Sequence, residues 1–250
     1  MHHRIALVCS VALIIALADL ARAQPSQPDT SSSQIRKQWI LGQHLAQDLE
    51  QRDGAITDPE LLGYLQRTAN RVAPGNPLKI RLTRGSDEYA SLLPHGVLYI
   101  SGNLLEHIAN EDELAGLIAH QTAHASSTAA ATVRSQGVNL RLPACVLASP
   151  LGPIRWSELM HDAELHATTA AVTSLKVAGY EPSAVLDLLS RLAYEHPIWS
   201  KAIRPEDLLS LRVAIESDDP PTQGYRIDSS EFIRQHALLL AALGHAPKHR

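Results

Sequence analysis

Most of this 250-residue chain carries apolar residues at helical spacing, and the period changes to two in one region. Leu78, Ile80 and Leu82 alternate with polar residues there, which predicts a half-buried strand over 78–82. A second strand is predicted over 97–100. Helices are predicted over 34–51, from about 57, and over 103–109, 111–134, 157–178, 183–195, 205–217 and 229–243, with a long proline-containing loop over 137–156. The pattern therefore indicates an α+β domain, mainly helical, with a small sheet near its front.

The first 23 residues have the features of an export signal. A short basic head is followed by an apolar run over 5–18, and then by Ala21-Arg22-Ala23, the small-x-small pattern that signal peptidase cuts. The run is shorter than the roughly 20 residues that span a bilayer. We therefore expect a cleaved signal over 1–23 and a periplasmic or secreted product, with an uncleaved membrane anchor as the alternative. Residues 24–33 are expected to form a polar linker.

Charge and cysteine content limit the classes of function. The formal net charge is −4 and the basic residues form no stripe, which argues against a nucleic-acid-binding protein. Cleavage of the signal would leave Cys145 as the single cysteine, so an internal disulfide is excluded and the fold needs an ordinary apolar core. We expect a main domain over 34–200 and a helical appendage over 201–250. Association with a membrane protein is left open.

Three residues on two predicted helices form a candidate metal site. His120 and His124 are four residues apart, so their imidazoles project from the same face of a helix. In a chain with thirteen histidines such a pair also arises by chance, as two surface residues. Glu164 adds a carboxylate from the next long helix. Two imidazoles and one carboxylate are the ligands of many catalytic zinc sites, which keep a fourth position open.

Three motifs in this part of the chain follow one another in a specific order. They are HQTAH at 120–124, ELHAT at 164–168 and GYEP at 179–182. Their order and spacing resemble the gluzincin metallopeptidases of the HtpX and CAAX-prenyl-protease family, in particular its soluble envelope members. The resemblance covers roughly 34–195. It implies a zincin-like fold, one Zn²⁺ held by His120, His124 and Glu164, and an extended polypeptide as substrate or client.

The same resemblance implies where the polypeptide and an auxiliary group would lie. The segment from Leu93 to Gly96 and the strand after it are similar to the edge strand of the family. His95, Gly96 and Val97 are therefore expected to line the edge on which a substrate pairs. His196, which precedes a proline, loosely resembles a downstream histidine near the mouth of the family's active site.

Two positions depart from the family pattern where the chemistry takes place. Gln121 stands where the H-E-x-x-H motif has the glutamate that takes a proton from the attacking water. Glutamine cannot carry that proton, and general-base catalysis is typically worth about 10²–10⁴ in rate. Thr168 stands where the family has a supporting aspartate, a role whose loss typically costs about 10–100-fold in metal affinity or activity.

Three functional hypotheses follow from these residues. The first is a zinc-binding pseudopeptidase that still binds polypeptide. The second is an active but slow peptidase that uses another base, such as His166 or His196. The third is a helical interaction module without a metal. His166 is expected at the surface or beside the site, although it could replace Glu164 as a third histidine ligand, and His161 is expected to be solvated.

Overall fold

The computed structural model describes residues 32–75, 78–93, 96–126, 153–195, 203–218 and 228–244. Of these residues, 32–37 belong to one compact unit and those from 38 onward belong to another. The strands are β1 (Ala55–Ile56), β2 (Lys79–Thr83), β3 (Ala90–Leu92) and β4 (Val97–Ser101). The helices are α1 (Ser32–Asp53), α2 (Pro59–Val72), α3 (Gly102–Glu106), α4 (Glu111–Ser126), α5 (Pro153–Ala178), α6 (Ala184–Glu195), α7 (Pro205–Asp218) and α8 (Ser230–Ala242). The prediction of a mainly helical α+β chain is confirmed.

The four strands form one small mixed sheet in the order β1-β2-β4-β3. β2 and β4 are parallel, whereas β1 pairs with β2 and β3 pairs with β4 in the antiparallel sense. The two predicted strands correspond to β2 and β4. The sequence analysis missed β1 and β3, which have two and three residues and are too short to show a period.

Helix α4 lies at the centre of the described fold and packs against α2, α5, α6 and β3. Its buried residues lie on all sides of the helix, including Leu114, Ala115, Leu117 and Ile118. A helix that is apolar all round is a core helix, which explains why its amphipathic pattern is weak in the sequence. The apolar core also includes residues from 203–244, namely Ile203, Leu208, Phe232 and Leu239.

Helix α5 begins earlier than the sequence predicts. A loop was predicted over 137–156, of which 137–152 lie outside the described residues. The chain is helical from Pro153, so the last four residues of the predicted loop belong to the helix. Proline suits the first turn of a helix, so Pro153 begins this helix instead of ending a loop. At the other end Gly179 adopts a φ of 77°, the left-handed conformation that commonly terminates helices. Along the described ranges, no helix is both long and apolar enough to cross a membrane.

Gly116 allows α4 to lie close to α6. A Cβ at this position would lie 3.0 Å from Cβ and 3.1 Å from Cα of Val185. We expect Gly116→Ala to lower the free energy of unfolding, because overpacking costs typically about 1–3 kcal/mol. Alanine gains only about 1 kcal/mol over glycine in a helix. Gly63→Ala in α2 is the matched control, since the added Cβ would meet only the end of the Arg67 side chain, at 3.4 Å.

Denaturant unfolding of both variants tests this close packing. Gly63→Ala should unfold at a higher denaturant concentration than the parent and Gly116→Ala at a lower one. Equal stabilisation by both substitutions would show that the contact between α4 and α6 is not tight.

Candidate metal centre

Hydrogen bonds at its first turn fix the position of α4. The side chain of Asn110 accepts a hydrogen bond from the backbone N–H of Glu113, at 2.8 Å, and Glu113 accepts one from the N–H of Ala109, at 2.9 Å. Arg191 in α6 donates to the same buried carboxylate, with its Nη1 2.8 Å from Oε1 of Glu113. The pairing of Glu113 with Arg191 attaches the start of the helix to α6. These contacts fix the start of the helix, and His120 follows two turns later.

Helix α5 brings Glu164 to the histidines. α4 and α5 make the most extensive contact between any two described elements. Both helices also contain small buried side chains, namely Ala115 and Ala119 on α4 and Ala163, Ala167 and Ala171 on α5. The contact between the helices places the carboxylate of Glu164 against the imidazoles of α4.

The three side chains converge on one point. Nε2 of His120 lies 3.3 Å from Oε2 of Glu164, and Nε2 of His124 lies 3.4 Å from the same oxygen. All three ligand atoms lie within 4.8 Å of one another, and the two rings meet edge to face with centroids 4.7 Å apart. In a tetrahedral zinc site, bonds of about 2.0–2.1 Å place neighbouring ligand atoms about 3.3–3.4 Å apart. The spacing therefore fits a metal ion, and the group of His120, His124 and Glu164 can hold one.

Hydrogen bonding within the cluster does not replace a metal. His120 is only 1% exposed, and its Nε2 has no hydrogen-bond partner among the described residues. Oε2 of Glu164 is likewise buried and lacks such a partner within the described ranges, because the short distance is not accompanied by hydrogen-bond alignment. Buried polar atoms without partners are rare in folded proteins and point to an ion or a water that would satisfy them.

The charges of the cluster favour metal binding. Burial lowers the pKa of His120, so its imidazole is neutral and offers a lone pair. Burial alone would raise the pKa of Glu164, but the adjacent imidazoles of His124 and His120 outweigh it and hold that pKa well below its usual range. Burial would likewise lower the pKa of His124, yet the carboxylate of Glu164 raises it overall. The cluster thus contains one ionised carboxylate and a neutral imidazole, the forms that bind metals, whereas the raised pKa of His124 opposes binding because that imidazole must also be deprotonated.

Gln121 and Thr168 lie beside this cluster and are both buried. Oε1 of Gln121 makes no hydrogen bond to any described residue, although the side chain is only 2% exposed. Thr168 donates its hydroxyl to the backbone carbonyl of Glu164, at 2.7 Å, and so bonds to its own helix. Neither residue adds a negative charge to the site.

Two further histidines of the sequence analysis, His166 and His161, do not belong to the ligand group. His166 is exposed on another side of α5, so the alternative in which it replaces Glu164 as a ligand is wrong. The prediction of a solvated His161 is also wrong, because His161 is buried and its Nε2 lies 3.1 Å from Oδ2 of Asp207 in α7. His95 and His196 lie outside the described residues.

The expected substrate edge lies on a different strand. Val97 belongs to β4, which has β2 on one side and β3 on the other. Its carbonyl accepts a hydrogen bond from the N–H of Leu93, at 2.9 Å, and Gly96 forms the turn between β3 and β4 with a φ of 81°. The prediction that Val97 and its strand form the edge is therefore wrong. In the described sheet β3 is an edge strand, and it contacts α4, the helix that carries His120 and His124.

Sequence analysis did not connect α7 with this site. A small cavity next to Glu164 is lined by Thr168 and His161 of α5 and by Ile203, Arg204, Asp207 and Leu208 of the segment that includes the start of α7. The proline at 205 and the two acidic residues after it indicate a helix start. Nothing in that pattern shows which helix it packs against, because the contact joins residues about forty positions apart.

The first turn of α4 also contains a carboxylate in an unfavourable place. Burial is the largest contribution that raises the pKa of Asp112, from 3.8 to about 6. The carboxylates of Glu181, Glu111 and Asp228 add to it, while a hydrogen bond from the backbone N–H of Glu181 opposes it. Above about pH 6 the folded chain thus holds a charge that the unfolded chain accommodates better.

We expect the stability of the metal-free chain to gain a contribution as the pH falls from 7 towards 4. The folded state takes up a proton on Asp112 below about pH 6, whereas the unfolded state does so only near pH 3.8. Asp112→Asn removes this contribution, so the variant should exceed the parent in stability at pH 7.5, with the difference shrinking towards pH 4.5. Denaturant unfolding at both pH values in the presence of a chelator measures it. A difference that does not change with pH would contradict the assignment.

We expect added cobalt(II) to stabilise the chain through the cluster. A ligand present at a hundred times its Kd raises the free energy of unfolding by about 2.7 kcal/mol. Glu164→Gln and His120→Ala should abolish this gain, because each removes a ligand. His166→Ala is the matched control and should retain it, since His166 is exposed on the same helix. Thermal unfolding with and without cobalt(II) measures the gain, and an equal gain in Glu164→Gln would exclude the cluster as the site.

Comparison with known proteins adds no family assignment to this geometry. No protein-family model matches the chain, and no curated protein matches it. The arrangement of His120, His124 and Glu164 is therefore the observation on which a functional assignment rests.

Proposed function

We propose that this chain is an exported, zinc-binding protein of the gluzincin metallopeptidase type that binds extended polypeptide. Its endopeptidase activity is weak or lost because Gln121 occupies the position of the general base. The observation that supports the proposal most directly is the convergence of two imidazoles on one carboxylate, with both nitrogen–oxygen distances close to those between neighbouring tetrahedral zinc ligands.

The ligand set favours zinc over the other common divalent metals. Calcium and magnesium are bound mainly by oxygen atoms, and both would leave two imidazoles unused. Zinc binds imidazole nitrogen and carboxylate oxygen well, and three protein ligands leave a fourth position for a substrate or water oxygen. When bound, zinc would polarise an oxygen atom at that position. Zinc also agrees with the resemblance of the motifs at 120–124 and 164–168 to the gluzincins, which implies a zincin-like fold.

The position of β3 supports extended polypeptide as the ligand. β3 pairs with β4 on one side and is an edge of the described sheet, the position at which an extended segment can add a strand, although Ala90 and Ser91 are buried. α4, which carries both histidines, contacts β3. A peptide added along β3 would therefore run close to the metal ligands. The short length of β3, three residues, limits pairing to a short segment.

The side chains near the cluster support weak or absent hydrolysis. Gln121 accepts and donates hydrogen bonds but cannot take up a proton, and Thr168 is already bonded to the backbone of its own helix. His166, one of the two proposed replacement bases, faces away from the cluster. Apart from the two ligands, His161 also lies near Glu164. It is paired with Asp207 and lines the adjacent cavity.

The proposal of export rests on the sequence of residues 1–23, where a basic head, an apolar run and an Ala-x-Ala site follow one another. An exported product with one remaining cysteine would reach an oxidising compartment without forming an internal disulfide. The mature chain would act in the periplasm or outside the cell.

Zinc content and casein cleavage test the proposed function together. We expect one zinc per mature chain and little or no cleavage by the natural sequence. Gln121→Glu restores a group that can carry a proton, so cleavage should rise by about 10²–10⁴-fold at unchanged zinc content. The double variant Gln121→Glu with Glu164→Gln is the control, because it has the base but lacks a metal ligand, and it should be inactive.

Other outcomes would select the alternative hypotheses. Cleavage by the natural sequence would show that another base acts, and a loss of that cleavage in His161→Gln would identify His161. A chain without zinc in any variant would exclude the metal and leave a helical interaction module.

A further inference from the structure

One buried polar atom near the metal cluster has no role in the fold. Oε1 of Gln121 lies in a side chain that is 2% exposed, and it has no hydrogen-bond partner in the described ranges. Leaving such a group unpaired costs about 1–3 kcal/mol relative to a paired one. A 180° rotation of the amide exchanges this acceptor oxygen with the NH₂ group, so the unpaired position can equally present an N–H donor to an anionic ligand.

The charge of the cluster limits which ligand fits. Glu164 is the one carboxylate among the three ligands, and the neighbouring Gln121 and Thr168 are neutral. A divalent metal bound by one carboxylate and two neutral imidazoles has a net charge of +1. A buried charge without a counter-charge is strongly unfavourable, so an anionic fourth ligand is preferred over a neutral one.

The nearby carboxylate of Asp207 is not part of the ligand group. Asp207 lines the cavity beside Glu164, but its Oδ2 lies 3.1 Å from Nε2 of His161. The ligands also indicate where an anion can enter. The side chain of His124 is 19% exposed, whereas those of His120 and Glu164 are buried, so the cluster is accessible from the side of His124.

We propose that Gln121 and the single carboxylate of the ligand set make this site a receptor for a carboxylate group. One carboxylate oxygen would occupy the fourth position at the metal, and the side-chain amide of Gln121 would donate an N–H to the other. This inference rests on the proposed function, since it requires the metal. Within a polypeptide the carboxylate belongs either to the chain terminus or to an aspartate or glutamate side chain.

Cobalt(II)-loaded mature chain tests the inference, because ligands at cobalt(II) change its visible absorption. The probes are acetyl-trialanine with a free C-terminus, the same peptide with a C-terminal amide, and acetyl-Ala-Asp-Ala amide. The free acid should change the spectrum and bind at least about tenfold more tightly than the amide, which has no negative charge. Equal binding of the aspartate peptide and the free acid would show that the site accepts either carboxylate, and tighter binding of the aspartate peptide would assign it to side chains. Weaker binding of the aspartate peptide would assign it to the chain terminus.

Two variants distinguish the effect of charge at position 121 from the effect of the hydrogen bond that Gln121 would donate. Gln121→Glu adds a negative charge and should weaken binding of the free acid by about tenfold or more. Gln121→Leu keeps the net charge but removes the N–H donor, and it should weaken binding by a smaller factor. Each variant is first shown to bind one cobalt(II) per chain, so that a misfolded variant is not mistaken for one that lacks carboxylate binding.

Failure of this inference differs from failure of the proposed function. If one cobalt(II) binds but the free acid and the amide bind equally, the carboxylate receptor is overturned and the metal site remains. Equal binding of the free acid by the parent and Gln121→Glu would likewise overturn the role of Gln121. A chain that binds no cobalt(II) would overturn both.

Discussion

The carboxylate of Glu164 lies between two imidazoles in a place where water has little access, and this contact constrains the structure around it. Without a metal, the folded chain keeps an ionised carboxylate and the ring nitrogen of His120 buried without a hydrogen bond between them. Such an arrangement is unfavourable by several kcal/mol in the absence of compensating partners. It persists only if the helices on both sides are held firmly enough that the three side chains cannot turn away.

The packing of α4 provides that firmness. Its apolar residues are buried on all sides, its first turn is joined to α6 through Glu113 and Arg191, and Gly116 brings its backbone close to Val185. The extensive contact between α4 and α5 serves the same purpose, because separating the two helices would lengthen the distances to Glu164. The core thus positions the ligands, while a bound metal would in turn stabilise the core.

Much of the architecture could be predicted from the sequence, because it depends on local patterns. The long helices, β2, β4 and the pairing of two histidines on one face all follow from the spacing of residues close in the chain. The connection of Glu164 to that pair could be proposed because the ligand types agree with zinc chemistry and with a family resemblance. β3 could not be found, because three residues are too few to show a period. The edge of the sheet was therefore assigned to β4 instead of β3. His161 shows the same limit, since its burial depends on Asp207 of a distant helix.

The two departures from the family pattern act in the same direction. A glutamate at position 121 and an aspartate at 168 would each add a negative charge near the metal, and the side chains present are both neutral. A site with more carboxylates disfavours anionic ligands but has groups that can accept a proton, whereas a site with a net positive charge retains anions and lacks a proton acceptor. Under the proposed function Gln121 would therefore do more than remove a catalytic group. Together with Thr168 it would change the preferred ligand of the metal from a neutral molecule that must be deprotonated to a group that is already an anion.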